Sequence, residues 1–136
     1  MKAAIIVDID GTIALKGDRS PYDWSKVWED KVNQPILDLL WALEGAWLDI
    51  ILVSGRDECC RKDTEAWLEK HNVPFVKLFM REEGDNEKDT VIKERIFRDH
   101  IASNYLVWFV LDDRDCVVKM WRDLGLTCLQ VAEGGF

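Results

Sequence analysis

The stretch Ile5-Ile6-Val7-Asp8-Ile9-Asp10-Gly11-Thr12 decides the fold of this 136-residue chain. Ile5 to Val7 is an apolar run of the kind that forms a buried strand, and Gly11 breaks it. Asp8 and Asp10 leave the strand end together, one residue apart, with the Thr12 hydroxyl beside them. Aspartates after a strand often do no more than form a turn. A carboxylate pair beside a hydroxyl can also hold a hard cation and attack an electrophile, and the residues that follow choose between these readings.

Downstream, strand and helix patterns alternate. Residues 13–33 are irregular, with Gly17 and Ser20-Pro21, and Trp24, Val27, Trp28 and Lys31 keep the spacing of a short helix. Pro35 in a first turn and Gly45 past the end bound a firm helix with Ile36, Leu37, Leu39, Leu40 and Leu43 on a wide buried face. A second strand is predicted over 48–53, closed by Ser54-Gly55-Arg56, then a helix over about 57–71 ended by Asn72 and Pro74. A third strand (75–80), a polar turn (81–87) and a third long helix (88–101) follow. The most apolar strand, 106–111, ends in Asp112-Asp113. A last helix carries Val117, Val118, Trp121 and Leu124, and a final strand spans 127–131. Continuous apolar strands alternating with helices predict an α/β fold: a three-layer, Rossmann-like, parallel five-stranded sheet with right-handed crossovers. Active sites in such sheets lie at the carboxyl ends of the strands, near the switch in strand order.

Composition agrees with a globular protein: 48% hydrophobic and 32% charged residues. The length predicts one domain over 1–136. No apolar run approaches membrane-spanning length, and Met1-Lys2 leads directly into the first strand, so a cytoplasmic protein without membrane partners is expected. The four cysteines, Cys59, Cys60, Cys116 and Cys128, have no C-x-x-C spacing and read as reduced thiols. His71 and His100 fall late in helical segments, where packing or helix-end roles are the default. A net charge of −8 argues against broad, non-specific nucleic-acid binding, but not against recognition of one phosphate at a chain end.

Three strands end in unusual polar groups: Asp8 and Asp10, Ser54 and Arg56, and Asp112 and Asp113. Lys93 lies on the third helix, one turn after Asp89. Each has an ordinary explanation, as a helix cap or a solvated pair, but their meeting on one sheet edge is not what those explanations predict. The chemistry the set suits is phosphoryl transfer. Clustered carboxylates repel one another, and Mg²⁺, which takes oxygen ligands, relieves that repulsion. Ser54 and Lys93 would hydrogen-bond phosphoryl oxygens. Asp8 would attack phosphorus to form an aspartyl-phosphate, and Asp10 would protonate the leaving oxygen and later take a proton from water.

D-I-D-G-T, S-G-R, the helical lysine and the terminal D-D pair resemble, in order and spacing, the four motifs of haloacid-dehalogenase-like phosphatases. That resemblance implies Asp8 as nucleophile and Asp10 as general acid–base. It also implies Mg²⁺ held by Asp8, the backbone carbonyl of Asp10, and one or both of Asp112 and Asp113. The two positions where this family inserts cap domains hold only residues 13–33 and 81–87 here, so a capless, open site suited to a macromolecular substrate is expected.

Arg19 to Trp24, Lys88-Asp89 through Phe97, Asp112-Asp113-Arg114, Val117-Val118, Met120-Trp121-Arg122 and Gln130-Val131-Ala132 are similar to the 3′-phosphatase domains of phage polynucleotide kinase/phosphatases. The similarity implies a polynucleotide 3′-phosphatase acting on DNA or RNA ends. Its phosphate-binding set would be Thr12, Arg19, Ser54, Gly55, Arg56, Asp89 and Lys93, with Arg19 and Arg56 on phosphates and Asp89 orienting Lys93 or Arg56. No G-x-x-x-x-G-K-[ST] loop occurs, so a separately encoded 5′-kinase or ligase is the expected partner if one exists. Tyr22, Trp24 and Trp28 beside Arg19 either stack terminal bases or pack the irregular stretch onto the domain. A small-molecule phosphatase and a non-catalytic end-binding module are the alternative functions.

Overall fold

The computed structural model describes residues 1–136. In chain order its elements are β1 (Lys2–Val7), β2 (Ala14–Leu15), a 3₁₀ helix (Trp24–Glu29), β3 (Lys31–Val32), α1 (Gln34–Glu44), β4 (Asp49–Asp57), a 3₁₀ turn (Glu58–Cys60), α2 (Arg61–Lys70), β5 (Lys77–Arg81), α3 (Asp89–Ile96), a π-helical turn (Phe97–Ile101), β6 (Tyr105–Asp112), α4 (Asp115–Asp123) and β7 (Cys128–Gln130). The main sheet has five parallel strands in the order β5-β4-β1-β6-β7. The α/β, Rossmann-like architecture expected from the alternation is therefore the one adopted. From β1 the chain winds outward through β4 and β5, returns to the other side of β1 as β6, and continues to β7. The order reverses at β1, so Asp8 and Asp10 emerge at the switch point, where an α/β sheet opens a crevice.

Period-two alternation along β1 sends Ile5 and Val7 into one core and Ala4 and Ile6 into another. The first core, with Leu37, Leu40, Leu52, Trp67 and Leu68, lies under α1 and α2; the second, with Ile51, Ile92, Val110, Val118 and Trp121, lies under α3 and α4. Burying one such aliphatic side chain contributes roughly 1.5–3 kcal/mol, so the continuous apolar strands read from the sequence are those that must be covered on both faces. Trp67 and Trp121 are fully buried, whereas Tyr22 and Trp28 are exposed and Trp24 is half-buried. Among the two histidines, His71 packs on Trp67 and His100 stacks on Phe79, both packing roles.

Several local expectations change. The irregular stretch 13–33 closes as a two-residue antiparallel ladder, β2 against β3, with the predicted short helix realised as a 3₁₀ segment. The third strand begins two residues later than predicted and runs through Arg81. The long helix over 88–101 widens into a π turn after Ile96. Ser54 does not cap the helix that follows; its hydroxyl accepts the Arg56 amide at 3.1 Å, and Asp57 caps the 3₁₀ turn by accepting from Cys59 N at 2.8 Å.

Candidate active site

The chain after β1 folds tightly on the carbonyl of Ile9, which accepts the amides of Thr12, Ile13 and Ala14 at 3.2, 3.0 and 2.9 Å. Ile9 is buried, so its side chain anchors the loop while Asp8 and Asp10, on either side of it, project from the strand end. Gly11 has φ +83°, a conformation open chiefly to glycine. A Cβ there would lie 2.0 Å from Asp113 Oδ2. Gly11 is thus needed twice, for its backbone and for the carboxylate against it. Asn33 locks the loop from β3, its Nδ2 donating to Thr12 O at 2.9 Å.

Asp8 is nearly buried, and each of its oxygens has a partner: Lys93 Nζ donates to Oδ1 at 2.7 Å and Thr12 Oγ1 to Oδ2 at 3.1 Å. Lys93, on the third helix one turn after Asp89, is buried and bridges to Asp112 Oδ2 at 3.0 Å. Trp121 Nε1 donates to the same oxygen at 3.2 Å, and the Asp113 amide donates to Asp112 Oδ1 at 2.9 Å. Asp112 is therefore occupied in holding Lys93 and its own loop. The carboxyl oxygens of Asp8, Asp112 and Asp113 come within 4.8 Å of one another. Burial, then the Asp112 charge, pushes the Asp8 carboxyl well above the usual carboxylate range, against the pull of Lys93. Burial and Asp112 raise Asp113 as well. Burial alone would discharge Lys93, yet Asp112 and Asp8 hold its ammonium protonated, above its ordinary value. One lysine does not balance three carboxylates, and the donor set is entirely hard oxygen. These residues fit a divalent cation such as Mg²⁺.

Asp10 stands apart from that cluster. Arg56 grips it with two bonds, Nη2 to Oδ1 at 2.7 Å and Nε to Oδ2 at 3.0 Å, and Arg19 Nη2 adds a third to Oδ1 at 3.2 Å. Burial would raise the Asp10 carboxyl, but the hydrogen bonds and charge of Arg56, followed by the charge of Arg19, hold it below the usual range. Behind the two arginines lies Asp30, buried, which accepts from Arg19 Nε and Nη2, both at 2.8 Å, and from Arg56 Nη2 at 3.2 Å. Thr64 Oγ1 accepts from the remaining Arg56 nitrogen at 3.1 Å, and Trp67 Nε1 fixes the Asp30 carbonyl at 2.9 Å. The two guanidinium groups expected to meet substrate phosphate are thus hydrogen-bonded to Asp10 and Asp30.

Asp89 also finds other partners than those expected. It holds neither Lys93 nor Arg56; Arg81 Nη2 donates to its Oδ1, and Arg114 Nη1 to its Oδ2 at 2.9 Å. Lys93 sits four residues on, but its ammonium is drawn to the deeper Asp8–Asp112 pair. Asp89 lies against Gly55, where a Cβ would meet its Oδ1 at 2.7 Å, so Gly55 permits this approach between β4 and α3. Arg81 further binds the carbonyls of Gly55 and Asp85 at 2.9 and 3.0 Å and that of Glu87, pinning the turn after β5. The structure thus brings Asp8, Asp10, Thr12, Arg19, Ser54, Gly55, Arg56, Asp89, Lys93, Asp112 and Asp113 to one sheet edge. It adds Asp30, Arg81 and Arg114, which sequence reasoning did not single out. Asp30, between Glu29 and Lys31, carried no signal beyond that of a charged surface run.

Residues 2–136 match the model of the family described as "Polynucleotide kinase PNKP phosphatase domain". A curated protein of Autographa californica nuclear polyhedrosis virus, named "Putative bifunctional polynucleotide kinase/RNA ligase", is 39% identical over 124 residues, covering 89% of this chain and 18% of the viral protein. Among solved structures, a chain of the Pnkp1/Rnl/Hen1 complex superposes with a TM-score of 0.98 at 39% identity, over 100% of this chain and 48% of that one. A chain of the Pnkp1/Rnl/Hen1 RNA repair complex gives 0.97 at 40% identity, over 99% and 44%. This chain therefore spans less than half the length of these relatives. The class C acid phosphatase of Bacillus anthracis, at 16% identity and a TM-score of 0.73, shares the fold.

Proposed function

Because this chain belongs to the polynucleotide kinase PNKP phosphatase domain family, we propose that its aspartate site removes the terminal 3′-phosphate of DNA or RNA through an aspartyl-phosphate. The observation that carries the reading is the division of labour between the two aspartates. Asp8 is fixed by Lys93 and Thr12 at the switch point, and Asp10, two residues on, is held ionised by Arg56 and Arg19.

Asp8 Oδ1, facing Lys93, would form the bond to phosphorus while the bond to the sugar oxygen breaks. Asp10, ionised at rest, first takes up a proton from solvent through its exposed face and passes it to the departing 3′ oxygen, and in the second half takes one from the attacking water. Its ionised resting state suits the second role directly, and its side chain, 43% exposed, is open to water and to the leaving group. Lys93 offsets charge on the phosphoryl group, and Ser54, within β4, would donate its hydroxyl proton to it while accepting the Arg56 amide. Mg²⁺, when bound, supplies charge neutralisation between phosphate and nucleophile. It would be held by Asp8 and Asp113, with the Asp10 carbonyl; Asp112, whose oxygens already serve Lys93, Trp121 and two backbone amides, is assigned to positioning.

We read residues 1–136 as one phosphatase domain without a lid. Residues 13–33 and 81–87 are each too short to form a lid domain, which suits a polymer end. A kinase or ligase activity is the proposed functional partner, since one relative is named as a polynucleotide kinase/RNA ligase and others are solved within Pnkp1/Rnl/Hen1 complexes. The four cysteines are free, in keeping with a reducing, cytoplasmic setting; no helix is long and apolar enough to cross a membrane. The test is phosphate release in Mg²⁺ from 3′- and 5′-phosphorylated DNA and RNA oligonucleotides beside sugar phosphates and nucleotides. Release from 3′ ends supports the reading; preference for a small monoester over every oligonucleotide replaces it.

A further inference from the structure

One arginine beside the aspartate site keeps a guanidinium nitrogen without a protein partner. Arg19 and Arg56 spend every guanidinium nitrogen on Asp10, Asp30, Ser20 O and Thr64. Arg81 spends all of its own on Gly55, Asp85, Glu87 and Asp89. Both sets are buried. Arg114, the residue after Asp112-Asp113, differs on each count. Its side chain is 36% exposed, its Nη1 binds Asp89 at 2.9 Å, its Nε binds Phe136 O at 2.8 Å, and its Nη2 makes no protein hydrogen bond. A guanidinium keeps five N–H donors, so Arg114 retains capacity that the other three have used.

Beside it stands an aromatic ring. Phe136 is 71% exposed, and the Arg114 guanidinium carbon lies 5.5 Å from its ring centroid. The segment bearing Phe136 is held against the aspartate loop. Asp115 N donates to Gly134 O at 2.8 Å, Gln130 Nε2 donates to Asp113 O at 3.0 Å, and Val131 N donates to Asp112 O at 3.1 Å. A Cβ on Gly134 would fall 1.9 Å from Asp113 O, so the two backbones touch. A partly exposed cation and an exposed ring are thereby fixed directly beside Asp113. A positive group that tracks a backbone, next to a ring on which a base can stack, is the pairing that grips single-stranded nucleic acid.

We propose that Arg114 and Phe136 form a strand-binding subsite: Arg114 Nη2 takes the phosphodiester immediately 5′ of the terminal nucleotide, and Phe136 stacks on the base before it. The subsite rests on the 3′-phosphatase reading and gives it a substrate class, an unpaired end of at least two nucleotides. The rim pair Arg81 and Asp89 sets the direction of the Arg114 fork, and the buried pair Arg19 and Arg56 takes no part in strand binding.

The test compares a 3′-phosphorylated single-stranded oligonucleotide with a nucleoside 3′-monophosphate, which lacks the phosphodiester and the second base. Wild type, Arg114→Gln, Arg114→Lys and Phe136→Ala are assayed in Mg²⁺, with folding checked by circular dichroism. Arg114→Gln should raise KM for the oligonucleotide about tenfold, the worth of one charge-assisted hydrogen bond, with a much smaller change for the monophosphate. It should also flatten the dependence of log kcat/KM on log salt by about 0.7, the increment for one phosphate contact on a single strand. Arg114→Lys should recover part of the loss. Phe136→Ala should weaken the oligonucleotide alone, by about fivefold or more, and it tests the subsite even if Arg114→Gln fails to fold. Equal losses on both substrates, or an unchanged salt slope, would overturn the subsite while leaving the 3′-phosphatase reading intact. Failure of wild type to release phosphate from any oligonucleotide would overturn that reading and the subsite with it.

Discussion

Asp30→Asn removes one charge and no volume from the centre of the arginine network. In the native protein two guanidinium groups, Arg19 and Arg56, face two carboxylates, Asp10 and Asp30, and the side chains of Asp30, Arg19 and Arg56 are 1%, 3% and 0% exposed. The substitution leaves two buried cations on Asp10 alone, and turns an amide N–H₂ or a weaker oxygen toward Arg19. Breaking a buried, hydrogen-bonded pair from one side costs about 3–5 kcal/mol. At about 3–4 °C per kcal/mol for a chain of this length, Tm should fall by about 9–20 °C. The backbone anchor from Trp67 Nε1 to Asp30 O is untouched, so the site should remain folded at 20 °C. Turnover should fall with it, by at least about tenfold, because Arg56 no longer has a fixed carboxylate behind it and Asp10 loses its orientation. Thermal unfolding and phosphate release on the same sample check both numbers. A variant that melts within 2 °C of wild type and turns over normally would show that Asp30 does not hold the arginines that position Asp10.

That network also marks the boundary of what the sequence could tell. Asp8, Asp10, Asp112, Asp113 and Lys93 were legible because strand ends in a parallel sheet converge, and carboxylates there are not needed for strand or turn. Arg19 and Arg56 were legible as residues but not in their partners. A guanidinium near a phosphate site reads as a phosphate ligand until the carboxylate that saturates it is seen, and Asp30 comes from a flap with no regular period. Asp89 was placed on the correct helix turn, but sequence spacing on one helix could not show that Arg81 and Arg114, from two other strands' ends, reach it first. The aromatic residues divided as packing physics requires: Trp67 and Trp121 entered the cores, whereas Tyr22 and Trp28 stayed in solvent.

Three further outcomes follow. Gly11→Ala forces a β-carbon into Asp113 Oδ2 and a strained φ, so it should cost about 1–3 kcal/mol and raise the Mg²⁺ concentration needed for half-maximal activity; wild-type Mg²⁺ dependence would contradict the placement of Asp113. Lys93→Met should abolish turnover and, in chelator, destabilise the fold, because Asp8 and Asp112 lose their buried cation; the lysine's burial means that stability and activity fall together, and retained activity in Mg²⁺ would remove Lys93 from phosphate binding. The carboxyls of Asp8 and Asp113 are raised in the folded, metal-free protein, so that state binds more protons than the unfolded chain. Its stability should decline as pH rises from about 4 through the raised values. Mg²⁺ competes with those protons, so its stabilising shift in Tm should be larger at pH 7.5 than at pH 5; an equal shift at both would contradict the carboxylate cation site.

The measurement that bears most directly on Asp8 as the attacking group is phosphate release from a 3′-phosphorylated oligonucleotide by wild type and by Asp8→Asn in Mg²⁺, with the matching 5′-phosphorylated oligonucleotide alongside. Wild type should release phosphate from the 3′ end and spare the 5′ end, and Asp8→Asn, folded by circular dichroism, should lose at least about a thousandfold in rate, as removal of a covalent nucleophile does. Sustained release by Asp8→Asn, or release from the 5′ end in preference to the 3′ end, would contradict the assignment.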